Sequence, residues 1–140
     1  MPYFRQELHE LAQAKGDLSE NSYLEAKAEC LRVSRTDGID LVLREHRLDA
    51  IVAPTNTPAW TVDLINGDRI LGSCSSPAAM AGYPHITVPA GYVEGLPVGI
   101  SFFSTAFTEG QLIGFAYAFE QVTQVRHIPT YKADVNKITT

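Results

Sequence analysis

No apolar run in the 140-residue sequence approaches the roughly 20 residues that a membrane-spanning helix needs. Basic charge is also scarce: 11 Lys and Arg face 16 Asp and Glu, for a formal net charge of −5, and no basic stripe is present. That excludes nucleic-acid binding by phosphate neutralisation. The segment Met1 to Glu10 carries charges early and has no apolar core, so it is not a signal peptide. The two cysteines, Cys30 and Cys74, lie far apart and fit no disulfide or metal spacing. The histidines, His9, His46, His85 and His127, show no i, i+4 pair either, so neither a metal nor another cofactor is expected. Together these absences point to the reducing cytoplasm. Charged residues make up 19% of the chain, slightly low for a soluble domain, and a low surface charge suits a surface meant to be covered.

What is present divides into a helical part over 1–47 and a mixed part over 48–140, read as one segment. Phe4, Leu8, Leu11 and Ala12 recur at helical spacing, with Pro2 as a start signal and Gly16 as a stop. A second pattern runs from Tyr23 through Leu24, Ala28, Leu31, Ile39, Val42 and Leu43 to about His46, with Asp37-Gly38 placed to break or kink it. Ala50 to Ala53 is a short apolar run fit for a buried strand. Thr55 to Gly72 reads as a long loop, and long loops in compact domains are usually functional or disordered; the only tryptophan, Trp60, argues against disorder. Ser76-Pro77 predicts the capped start of a short helix that stops at Gly82. His85 to Pro89 and Val98 to Phe103 read as strands of an antiparallel hairpin around Tyr92 to Gly95. Glu109 to Val125 is a last helix, with Leu112, Ile113, Ala116, Phe119 and Val122 as its apolar stripe. The fold class is α/β.

Several of these segments together resemble one family. "LDAIVAP" (Leu48 to Pro54), "SPAAMAGYPHITVPAGYVEGLPVGISFF" (Ser76 to Phe103) and "AYAFEQVT" (Ala116 to Thr123) are similar, in order, to the C-terminal region of amidase signature enzymes. The opening "MPYFRQEL" and the long helix extend the likeness, which covers roughly 1–131. The resemblance implies a large mixed sheet flanked by helices, and hydrolysis or transfer of carboxylic amides. It also implies a catalytic lysine and two serines within a glycine- and serine-rich signature. Gly72-Ser73-Cys74-Ser75-Ser76 lacks that run of glycines, so no catalytic residue is assigned to this chain. The expected partners are therefore the missing N-terminal catalytic portion, in the same or a separate chain, and a small-molecule amide substrate. Self-association through an exposed sheet edge is a further expectation. The alternatives are a standalone binding module or one chain of a split amidase. In the tRNA-dependent amidotransferases of this family, an aspartate that helps hold the substrate's amino group precedes the matching helix; Gly72 stands there here, which argues against a glutamine substrate.

Six residues are candidates for one wall of the substrate pocket. Asn56, Thr57 and Trp60 lie on the long loop, where the other reading is a loop pinned by a buried aromatic. Ser73, Cys74 and Ser75 precede the short helix, at the mouth of its free amides. Cys74 with His85 has the makings of a thiol–imidazole dyad. A small buried thiol, a capping Ser76 and a strand histidine account for the same residues more simply. Asp63 and Asp68, around Asn66-Gly67, suit turn chemistry rather than acid–base catalysis.

Overall fold

The pleated run that the sequence places after residue 48 becomes a three-stranded sheet covered by helices on both faces. The structure is a computed structural model and describes residues 5–129. Its helices are α1 (Glu7–Gln13), α2 (Asn21–Leu31), α3 (Asp40–His46), α4 (Ser75–Ala81) and α5 (Glu109–Thr123), and its strands are β1 (Ile51–Pro54), β2 (His85–Val93) and β3 (Leu96–Phe103). The sheet order is β1-β3-β2 with both pairings antiparallel. Among the described residues no helix is long and apolar enough to cross a membrane.

Alternation along β3 sets the two layers. Phe103 faces Ile39, Leu43, Ala78 and Ala81 of the α3–α4 side, with Ile51, Ala53 and Tyr83 packed around them. Phe102 faces Leu112 and Ala116 of α5, with Ile86, Val88, Ile100, Phe115 and Phe119 alongside. A period of two on a strand feeding two different helix layers is what a sheet buried on both faces requires. The α5 stripe is rotated from the one expected. Leu112 and Ala116 are buried and Phe119 packs beside them as expected, but Ile113 and Val122 are exposed, and Phe115 joins the face instead. Residues 112, 115, 116 and 119 share the i, i+3, i+4, i+7 face, whereas Tyr117 points away from it.

The kink expected at Asp37-Gly38 is present. Between α2 and α3 the helix widens into a π-type segment, Arg32–Ile39, and Gly38 leaves helical geometry at φ −114° and ψ −109°. A Cβ on Gly38 would stand 2.5 Å from the Val33 carbonyl oxygen, so the bend needs glycine there. The widened segment turns Ile39 and Ser34 inward. Arg35 from it donates Nε–H to the Ala81 carbonyl at 2.7 Å and lies over the Tyr83 ring, closing the C-terminal end of α4. Tyr83 donates in turn to Asp40 at 2.7 Å, and burial, reinforced by that bond, pushes its phenol above the ordinary value.

Two sequence expectations need correction. The short helix starts at Ser75, and no side chain of Ser76 caps it. The Ser75 amide instead finds Ser73 Oγ at 3.3 Å, and Pro77, at the third helical position, has no amide to leave unpaired. The hairpin strands are also longer than expected. A bulge at Ala90, between the Pro89↔Gly99 and Gly91↔Val98 pairs, absorbs the proline and lets β2 continue to Val93. The turn is then only Glu94-Gly95, with φ of 49° and 76°, the left-handed pair of a type I′ hairpin.

Candidate functional site

Where β1 ends, Thr55 holds the chain against two neighbours. Its amide donates to the Gly99 carbonyl of β3 at 2.9 Å, and its own carbonyl accepts from the Cys74 amide at 3.2 Å. The same carbonyl takes Ser73 Oγ–H at 3.4 Å and lies 3.6 Å from Cys74 Sγ. Asn56 and Ser73 form an isolated antiparallel bridge beside it. The long loop thus leaves the sheet at residue 55 and returns to it at residue 73, with its two ends clamped together. Behind the clamp, Ser101 Oγ is fully buried and bonds both Thr55 Oγ1 (2.8 Å) and Thr87 Oγ1 (2.9 Å). These hydroxyls need the space that Gly99 leaves. A Cβ there would meet Thr55 Oγ1 at 2.8 Å and Thr87 Cγ2 at 2.9 Å. A glycine inside a strand marks a bulge or a close approach of another chain segment; at Gly99 it is the approach, and the bulge lies across the ladder.

The clamp opens onto a cleft of about 770 Å³. Val52, Pro54, Pro58, Val98 and Ile100 give it apolar walls, and Ala90 reaches it from the bulge. Among the described residues no charged side chain lines it. Four of the six residues singled out from the sequence, Asn56, Thr57, Ser73 and Cys74, line this one cleft. Asn56 Oδ1 accepts the Thr57 amide at 2.8 Å, which holds both side chains near the loop base. Ser75 is not in the lining but bonds Ser73 Oγ at 3.0 Å. Trp60 lies elsewhere: its indole N–H donates to Asp68 at 3.1 Å and ties the far part of the loop to itself. Asp63 and Asn66 are turn residues, as their spacing suggests. Asp63 Oδ1 accepts the Ile65 and Asn66 amides, each at 2.9 Å, and these bonds with the Asn66 side chain hold its carboxyl below the usual aspartate range.

Cys74 and His85 do meet. Sγ and Nε2 are 3.9 Å apart, and the imidazole is kept in place by the Phe103 ring at 5.6 Å. Among the described residues no group of three or more His, Cys, Asp or Glu could hold a metal ion. The apolar walls from β1 and β3 escape a reading of the sequence, because strand residues facing a cleft and those facing a core have the same composition. Pro89 followed by Gly91 is the one signal that points to Ala90, since proline inside a strand marks an edge or a bulge.

A family model for amidases matches residues 2–113. Among curated relatives, a probable amidase of Arabidopsis thaliana is 42% identical over 99 residues, which cover 69% of this chain and 16% of that protein. A glutamyl-tRNA(Gln) amidotransferase component of Pseudomonas entomophila is 37% identical over 89 residues, 60% of this chain and 18% of that one. Among solved structures, the native peptide amidase of Stenotrophomonas maltophilia superposes with a TM-score of 0.83 at 42% identity, over 93% of this chain and 26% of that chain. The chain therefore spans about a sixth of the length of these curated relatives and about a quarter of the solved one. With four fifths of its residues inside the family model and its whole sheet-and-helix arrangement shared with a solved member, the chain belongs to the amidase family.

Proposed function

We propose that this chain is the C-terminal portion of an amidase that acts on carboxylic amides, supplying sheet core and one wall of the substrate pocket. The lysine and two serines of the chemistry belong to a portion outside it, in the same or a separate polypeptide. The observation that carries this reading is the uncharged cleft at the end of β1, where Asn56, Thr57, Ser73 and Cys74 come together over apolar walls. An unpaired charge buried in such a lining would be costly, so the group seated there is neutral and largely apolar. Neutral amide and hydroxyl side chains beside it suit the hydrogen bonds of an amide group. The relatives named as amidases support the reaction class. Gly72 on the cleft wall, in place of a carboxylate, favours an acyl or peptidyl amide over a substrate whose free amino group must be held.

Large apolar side chains such as Leu8, Ile65, Leu71 and Phe107 stand in solvent, which favours a piece of a larger assembly over a standalone module. The test is hydrolysis of a peptide amide. The pure 140-residue chain is expected to give no turnover, and adding the glycine- and serine-rich portion is expected to produce it. Saturable hydrolysis by the pure chain would overturn the reading.

A further inference from the structure

The described residues include two thiols in different surroundings. Cys30 is exposed on α2, whereas Cys74 is half-buried in the cleft wall with His85 Nε2 3.9 Å from its sulfur. Amide binding makes no use of a thiol–imidazole contact. We propose that Cys74 and His85 form a covalent acceptor site for soft carbon electrophiles that carry an apolar group, so that the cleft can be blocked by thiol addition. The inference needs only the pair and the cleft, and stands apart from the amide reading.

Three features converge. The sulfur is held in place, since the Cys74 amide and Sγ both face the Thr55 carbonyl, at 3.2 and 3.6 Å. The imidazole Nε2 stands 3.9 Å from that sulfur, within reach of the thiol proton. The walls formed by Val52, Pro54, Pro58, Val98 and Ile100 concentrate an apolar reagent beside that sulfur. With a maleimide the atoms balance simply. The thiol proton passes to Nε2, and a sulfur lone pair forms an S–C bond to one alkene carbon. The π electrons move to the other alkene carbon, which takes the proton back from the imidazolium. The product is a thioether, and no oxidant or leaving group is needed. Exposure alone gives the opposite preference, because Cys30 is the more accessible thiol.

The experiment treats the 140-residue chain with limiting N-phenylmaleimide and reads the adduct on each cysteine by peptide mass mapping. The expected result is adduct on Cys74 before Cys30, with a Cys74 rate that saturates in reagent. His85→Gln should slow Cys74 at least about tenfold while leaving Cys30 unchanged, with an unaltered circular-dichroism spectrum as the check on folding. Should that variant misfold, saturation on the unaltered chain still decides. Cys30 reacting first, or a Cys74 rate that rises linearly with reagent, overturns the proposal, as does a folded His85→Gln chain that labels at the original rate.

Discussion

Gly99 is the residue on which the cleft depends most directly. Thr55 and Thr87 both occupy the space its missing side chain leaves, at 2.8 and 2.9 Å from a would-be Cβ, and Thr55 in turn clamps the loop. Gly99→Ala forces both threonines to shift and should cost about 1–3 kcal/mol, read as a lower denaturant midpoint at unchanged slope. A change below a few tenths would show that the hydroxyl cluster gives way freely. Asp63 makes a second prediction, for pH. Its carboxylate is stabilised by the Asn66 and Ile65 hydrogen bonds, so its folded pKa lies below the ordinary 3.8. A lowered carboxylate stabilises the fold fully above its unfolded value. That contribution begins to fall as pH drops through 3.8 and is gone once pH passes below the folded value. The single tryptophan, Trp60, sits on the same loop and should report the turn opening as a fluorescence change in that window. Asp63→Ala should give the same signal at neutral pH, and a spectrum unaltered by either would contradict the assignment. At this scale the sequence was partly legible. The Asp63-Asn66-Gly67 turn follows from side chains that bond their own backbone within a few residues. The Cys74–His85 contact does not, because it depends on how α4 is set against β2, which no local pattern encodes.

Elements were legible wherever a local periodicity met a stop signal. Gly82 ends α4 at φ 65°, Gly38 bends the long helix, and α3 ends at His46 where the sequence places it. The misreadings arose where tertiary contacts choose between local options. The face of α5 is selected by the sheet beneath it, so Phe115 displaces Ile113 from the stripe. The extent of β2 is set by its partner β3, whose ladder carries the chain past Pro89 through the bulge. The hairpin turn is open to improvement. Glu94 adopts φ 49°, a left-handed conformation that costs most residues about 1–2 kcal/mol and asparagine less. Glu94→Asn therefore completes an Asn-Gly type I′ turn and should stabilise the chain by about 1 kcal/mol, measured by thermal or urea unfolding. A destabilised variant would mean that Glu94 makes contacts outside its turn.

The whole molecule looks like a cut surface as much as a fold. Neither α1 nor α2 buries a residue within the described chain, and Leu8, Leu11, Leu24, Val62, Phe107 and Val122 are exposed. Among the described residues the sheet ends in two open edges, β1 and β2. Leu8 and Leu11 do fall on a helix, α1, and both are exposed within the described chain. Composition and periodicity reach the elements but not the apolar walls of the cleft, because strand residues facing a cleft and those facing a core look alike. Made alone at micromolar concentration, the chain should self-associate and bind an apolar dye; a clean monomer in gel filtration with little dye binding would contradict that. Whether the chain works as part of a longer amidase is read from the mass of the native polypeptide in its source cells, detected with an antibody against α5. The epitope is expected in a species several times heavier than 15.3 kDa, as the one-sixth share of its relatives' length implies. A species of 15.3 kDa that purifies with no other chain would contradict that membership.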